Sequence, residues 1–167
     1  MSAQKNRRIL IIDDTPAIHQ DFRKVLAPSS LASQALDAQE QALFGDRPPR
    51  PDVERGYEVD SALQGREGLD MVLRARAAHR PYALVLADMR MPPGWDGVET
   101  LARILEATPA VEVCICSAYS DYSWHDVIRR VRKSALRLLR KPFETREVLA
   151  AAAELTEKWN RLNGEAR

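Results

Sequence analysis

The chain has 167 residues, with 25 Lys and Arg against 24 Asp and Glu, for a formal net charge of +1. Hydrophobic residues at 45% and charged residues at 29% suit one ordinary globular domain, and near-neutrality gives no bulk field to attract nucleic acid or an anionic membrane. No apolar run approaches the roughly 18 residues of a membrane span, and Met1–Arg8 leads into only four strongly apolar residues before Asp13, too few for a signal-peptide core. Cys114 and Cys116 stand one residue apart, so they cannot staple distant parts of the chain. Their C-x-C spacing also lacks the partner ligands of a zinc site. A reduced, cytoplasmic protein is expected.

In chain order, Arg8–Ile12 is short, β-branched and closed by two acids, which predicts a buried strand. Pro16 suits the first turn of a helix, where its missing N–H is not needed, and Ile18, Phe22, Val25 and Leu26 share one face of that helix. Tyr57–Asp60 reads as a weaker strand. Gly65–His79 reads as a helix with Leu69, Val72 and Leu73 inward. Tyr82–Ala87 is a second buried strand, ended by Asp88. Val98–Ala107 is helical with Leu101, Ile104 and Leu105 inward, and Pro109 follows its end. Val111–Cys116 is a third strong strand, ended by Ser117. A helix from about Ser123 to Lys133, a strand Leu136–Arg140 and a last helix over 144–162 complete the series.

Strands alternating with helices predict an α/β fold: a parallel five-stranded sheet, doubly wound as (βα)5, covered on both faces. Ligand sites of such sheets lie beyond the carboxyl ends of the strands. One stretch breaks the alternation. Residues 28–56, some 29 in number, lie where α/β connections usually take about 2–6. Ser29 and Ser30 could cap an inserted helix through Leu31, Ala35, Leu36, Ala42 and Leu43, before an extended, charged, proline-rich loop over 46–52. The insertion is either a surface addition or a docking element. The whole chain, 1–167, reads as a single domain without internal repeats.

The polar residues at the strand ends carry the chemistry. Asp13 and Asp14 end the first strand, Asp88 the third, Ser117 the fourth, and Lys141 the fifth. Carboxylates that converge repel one another unless a cation or proton is shared. An oxygen-rich pocket of this kind suits Mg²⁺, and a free carboxylate in it can attack a phosphoryl group to give an aspartyl phosphate. Lys141 and Ser117 could then meet the transferred oxygens. One Asp at a strand end is ordinarily a cap or turn former; the combination of all five is the signal.

These residues resemble a known family. Ile11-Ile12-Asp13-Asp14, Asp88-Met89-Arg90-Met91-Pro92 with Gly97, Ser117-Ala118-Tyr119 and Lys141-Pro142-Phe143 look like the four signatures of response-regulator receiver domains, in the same order and at the same strand ends. The resemblance covers nearly all of the chain outside 28–56 and the last residues. The stretches 92–97 and 118–124 look similar to a subgroup in which receivers sit beside histidine-kinase or diguanylate-cyclase modules. The resemblance implies a flavodoxin-like fold of the bacterial two-component type, with Asp88 as phosphoacceptor. It implies Mg²⁺ held by Asp13, Asp14, Asp88 and the backbone carbonyl of Arg90. It also implies that Ser117 follows the phosphoryl group, that Lys141 contacts its oxygens, and that the Lys141–Pro142 bond is cis.

Where receivers usually carry a switching aromatic, three residues before the motif lysine, this chain has Leu138. Arg90 and Tyr119 flank the site entrance and are expected to modulate the access of water to the phosphoryl group. The implied partners are a histidine kinase or phosphotransfer protein upstream and an output protein or domain downstream. No catalytic activity is expected beyond slow self-dephosphorylation.

Other readings remain. A phosphorylation-independent pseudo-receiver would serve as a binding module only. A phosphatase of the haloacid-dehalogenase type would need D-x-D, and Thr15 stands two after Asp13. His125 and Asp126 near Ser117 could suggest a hydrolase triad, but Ser123 as helix cap with Asp126 in the first turn explains them, and no Gly-x-Ser-x-Gly elbow is present. His19 is expected on a solvated helix surface. The basic run Arg129, Arg130, Arg132, Lys133, Arg137, Arg140 and Lys141 lacks interleaved aromatics, so a solvated face is expected and no direct nucleic-acid contact. Val148, Ala152, Leu155, Trp159 and Leu162 follow a heptad spacing that fits either a sheet-covering face or the start of a coiled coil forming a homodimer or output linker.

Overall fold

A computed structural model describes residues 4–27, 42, 43, 45, 56–118, 124–131 and 136–164, with backbone alone at 124–126 and 128. The elements are β1 (Arg8–Ile12), α1 (Pro16–Leu26), β2 (Glu58–Ala62), α2 (Gly65–Ala77), β3 (Leu84–Asp88), α3 (Gly97–Ala107), β4 (Glu112–Ser117), α4 (Trp124–Val131), β5 (Arg137–Arg140) and α5 (Thr145–Asn163). The strands form one parallel sheet in the order β2-β1-β3-β4-β5. The expected doubly wound (βα)5 arrangement is therefore present.

Side chains alternate across each strand and sort the core into two layers. Ile9, Ile11, Leu84, Leu86, Cys114 and Cys116 face α1 and α5, where they meet Phe22, Leu26, Val148 and Leu155. Leu10, Ile12, Val85, Ala87, Val113 and Ile115 face α2, α3 and α4, where they meet Val72, Leu101, Ile104, Val127 and Val131. Both cysteines are buried and free, as expected of small core residues. Because the chain runs from β1 outward to β2 and then crosses back to β3, the strand order reverses between β1 and β3. A crevice opens at the carboxyl ends there.

Some details differ from expectation, among them the later starts of β3 at Leu84 and of β5 at Arg137. The edge strand β2 begins at Glu58, not Tyr57, and runs on to Ala62; Tyr57 packs against the core beside it. Leu73 is 42% exposed instead of inward. The inward face of α2 is Gly65, Gly68, Val72 and Ala75, and its small residues seat the helix close to the sheet. A Cβ on Gly68 would lie 2.3 Å from Ile12 Cδ1, so the bulkier leucine takes the outer side. The inserted helix and loop of 28–56 fall outside the described residues, except Ala42, Leu43, Gly45 and Gly56; Leu43 is 75% exposed.

The long α5 resolves the heptad pattern. Val148, Ala152, Leu155 and Trp159 are all buried under the sheet, while Leu162 beyond them is 60% exposed. Asn160 ties this helix to the start of β1: the Asn6 N–H donates to Asn160 Oδ1 at 2.7 Å, and Asn160 Nδ2 donates back to the Asn6 carbonyl at 3.0 Å.

Candidate functional site

The carboxyl ends of β1, β3, β4 and β5 bring the five predicted residues to one end of the sheet. Asp88 pairs in register with Cys116, and Ser117 with Arg140. The ladder continues just past the strands, with Met89 N–H to Cys116 O and Lys141 N–H to Ser117 O, both at 2.9 Å. The buried strands thus set the spacing of the polar residues that follow them.

One carboxylate oxygen each from Asp13, Asp14 and Asp88 can be chosen so that all three lie within 4.8 Å of one another. Asp13 is buried and Asp14 and Asp88 are half-buried. Lys141 Nζ bridges two of them, 2.9 Å from Asp13 Oδ2 and 3.2 Å from Asp88 Oδ1. Burial first, and then the negative charge of Asp13, push the Asp88 carboxyl above its ordinary range, against a smaller downward pull from Lys141. For Lys141, burial is the largest single influence and pulls downward, but Asp13 and Asp88 together outweigh it and hold the ammonium above its ordinary value. A crowded set of hard oxygen donors, with one acid resisting ionisation, is the donor chemistry that a small divalent cation relieves. The residues therefore fit Mg²⁺.

The loop after β3 is fixed from several sides. The Asp96 carboxylate caps α3 by accepting from Glu99 N–H at 2.8 Å. The Trp95 ring lies against two guanidinium groups, that of Arg103 at 4.3 Å and that of Arg66 at 5.4 Å from its centroid. Gly97 allows α3 to start directly over the phosphoacceptor candidate, since a Cβ there would fall 2.2 Å from the Asp88 carbonyl oxygen. The Lys141–Pro142 bond is cis as expected, and so is Pro92–Pro93.

Of the remaining predicted positions, Arg90 is exposed beside the loop, and Leu138 is half-buried against the layer of α2, α3 and α4. Tyr119 lies outside the described residues, as do Ser123 and the side chains of His125 and Asp126. The basic run is divided among different surroundings. Arg129 and Arg130 are exposed, Arg137 pairs with Glu154 of α5, and Lys141 belongs to the acidic site; 132 and 133 lie outside the described residues.

His19 corrects an expectation. It is 6% exposed, not solvated, because it falls on the inward face of α1 with Phe22 and Leu26. Its Nε2 donates to the backbone carbonyl of Asp13 at 2.7 Å. A signal for this contact does stand in the sequence: Pro16 has no N–H with which to close a turn on that carbonyl, and a histidine follows three residues later.

Comparison with known proteins agrees with this geometry. The sequence model of the response regulator receiver domain matches residues 50–153. The chain is 37% identical over 89 residues to the transcriptional regulatory protein ZraR of Escherichia coli O157:H7, covering 53% of this chain and 18% of that protein. It is 34% identical over 94 residues to sporulation initiation phosphotransferase F of Bacillus subtilis, covering 56% of this chain and 68% of that protein. Against the transcriptional regulatory protein HprR of E. coli it is 33% identical, over 66% of this chain and 45% of that protein, so it spans less than half of two of these relatives. Among solved structures, the signal receiver domain of an HD domain-containing protein from Pseudomonas fluorescens Pf-5 superposes with a TM-score of 0.68 at 19% identity, covering 98% of this chain and 96% of that one. A CheY-like receiver domain protein from Methanospirillum hungatei JF-1 gives 0.64 at 20% identity, covering 93% and 98%. The family match starts after Asp13 and Asp14, yet the structure sets β1 between β2 and β3, completing the sheet around the matched segment. The chain belongs to the response regulator receiver domain family, the receiving modules of two-component signal transduction.

Proposed function

We propose that this receiver takes a phosphoryl group on Asp88 from a histidine kinase or phosphotransfer protein, with Mg²⁺ held by Asp13, Asp14, Asp88 and the backbone carbonyl of Arg90. The observation that carries the reading is the convergence of three carboxylates with Lys141 lying between Asp13 and Asp88. An Asp88 carboxylate oxygen attacks the phosphorus of a phosphohistidine. The new O–P bond forms as the P–N bond breaks, and the freed imidazole keeps its electron pair and is protonated from solvent. Such a transfer asks the protein mainly for positioning and charge neutralisation. Bound Mg²⁺ would supply part of that neutralisation; Lys141 and the Ser117 hydroxyl supply the rest toward the transferred oxygens.

The added charge near −2 would draw Ser117 and the segment after β4 toward the site and so shift the surface of α4 and β5, with Leu138 repacking where other receivers carry an aromatic. The output would be a downstream protein or a domain attached to this one. In this reading residues 1–167 form a single receiver domain, 28–56 is an insertion between α1 and β2, and α5 is the element from which an output linker would extend. A cytoplasmic setting suits the free thiols of Cys114 and Cys116. No helix among the described residues is long and apolar enough to cross a membrane.

Intact-mass analysis after incubation with acetyl phosphate, or with beryllofluoride, in the presence of Mg²⁺ tests the proposal. One adduct should form on the wild type and none on Asp88→Asn. A wild type without adduct would leave a phosphorylation-independent binding module; an adduct persisting on Asp88→Asn would move the acceptor elsewhere.

A further inference from the structure

We infer that His19 is a positioning residue for the metal-binding end of the site, holding the Asp13 main chain so that its carboxylate keeps a single orientation. The inference rests on the reading that Asp13 and Asp14 hold Mg²⁺. It begins from a full accounting of the polar groups of Asp13. The Asp13 N–H donates to the Ala62 carbonyl of β2 at 3.1 Å. Oδ1 accepts from the Thr15 N–H at 2.9 Å, and Oδ2 accepts from Lys141 at 2.9 Å. The remaining group is the backbone carbonyl, and the His19 Nε2–H meets it at 2.7 Å.

The local sequence explains why a side chain does this. The residue three after Asp13 is Pro16, the first of α1, and proline brings no N–H to close a turn on that oxygen. The imidazole, on the next part of the same helix, provides the missing donor. Since a carbonyl oxygen only accepts, Nε2 is the donor in this bond, and Nδ1 is the ring's other nitrogen. That Nδ1 is buried and has no hydrogen-bond partner among the described residues. A leucine would fill the same inward position on α1, on the buried face with Phe22 and Leu26, without burying an unpartnered nitrogen. What the histidine adds to the position is its bond to Asp13. Groups that orient a metal's ligands from behind in this way are part of how a site holds its ion.

Three substitutions separate positioning from packing. His19→Gln sets an amide nitrogen about as far from the backbone as Nε2; His19→Asn has the same donor but falls short; His19→Leu has none. Mg²⁺ affinity of the unphosphorylated 167-residue protein is measured by calorimetry, with the thermal midpoint in EDTA as the control for folding. Expected is a loss of about 10-fold or more in Mg²⁺ affinity for Leu and Asn, with Gln within about threefold of wild type. A packing role alone would lower the midpoint and leave the affinity of the folded protein unmoved. Wild-type affinity in His19→Leu overturns the inference, as does a Gln variant no better than Asn; the Asn and Gln pair decides if Leu does not fold. A wild type that itself binds no Mg²⁺ overturns the reading of the site and this inference with it.

Discussion

Lys141 Nζ meets Asp13 Oδ2 at 2.9 Å, across 128 residues of sequence. The contact exists because β5 and β1 end on the same side of one parallel sheet, so the first acid and the last base of the chain's signatures become neighbours. Asp13 is almost wholly buried, whereas the Lys141 side chain keeps a fifth of its surface in solvent. Removing the cation would leave an uncompensated carboxylate in the more buried place, beside Asp88. Lys141→Ala should therefore lower metal-free stability by about 1–3 kcal/mol at neutral pH, which for a chain of this size is about 2–4 °C per kcal/mol in the thermal midpoint. It should also slow Asp88 labelling by acetyl phosphate by about 10²-fold, the usual effect of losing one charge-stabilising donor. Labelling at the wild-type rate would remove Lys141 from the transfer chemistry.

Asp88 gives a prediction with a definite sign. Burial and the Asp13 charge raise its folded-state pKa above the ordinary 3.8. The folded protein then holds the proton more tightly than the unfolded chain, so ionising Asp88 opposes folding. This cost is absent below about pH 3.8, grows as pH rises toward the folded-state pKa, and is fully present above it. In EDTA at pH 7, Asp88→Asn should melt higher than wild type, and the gap should close as pH falls through the carboxylate range. Mg²⁺ should narrow it from the other side by stabilising only the wild type's full acid set. Scanning calorimetry at several pH values checks this, and a mutant that melts lower in EDTA at pH 7 contradicts it.

Much of this site is legible in the sequence because of one regularity. A parallel strand buried on both faces is a continuous apolar run, and its end is marked by the first polar residue. That marks Asp13, Asp88 and Ser117 directly; Lys141 instead follows a short edge strand, Arg137–Arg140, whose two leucines stand between arginines, and it is the Lys141-Pro142-Phe143 signature that marks it. What sequence patterning handles poorly is a helix whose inward face is not its most hydrophobic one. In α2 the contact face is glycine, glycine, valine and alanine, so Leu73 points outward against expectation. In α1 the inward face includes a histidine, because it has a backbone carbonyl to reach. Edge position explains β2: with Glu58, Asp60 and Ser61 among its five residues it lacks the apolar run of the central strands, and its limits shift accordingly.

Arg90 and Tyr119 are two residues past Asp88 and Ser117 respectively, and Arg90 is exposed beside the loop that leads to the site. If this pair governs the approach of water to an aspartyl phosphate, its loss alters the lifetime of the phosphorylated state without altering its formation. Arg90→Ala combined with Tyr119→Ala should change the dephosphorylation rate at least about threefold, a barrier change of about 0.65 kcal/mol or more, while acetyl phosphate still labels Asp88. An unchanged decay, followed by intact mass over time, would remove both residues from this role.

The last helix separates two uses of one repeat. Val148, Ala152, Leu155 and Trp159 keep a heptad spacing, yet all four are buried against their own sheet. The seam is taken up in this way as far as Leu162, and a coiled coil needs three or four heptads to be convincing. Trp159→Ala should accordingly cost about 3–5 kcal/mol of stability, as for other large-to-small core changes. Leu162→Ala should stay within about 0.5 kcal/mol. Asn160, bonded in both directions to Asn6, adds a polar anchor at the same level of the helix. Cutting the chain after Thr156 would therefore disturb the domain itself and could not isolate a role in dimer formation, whereas Leu162→Ala leaves the packing intact. Light scattering should give the same mass for wild type and Leu162→Ala; a lower mass for the variant would show that the end of α5 joins two copies of the protein.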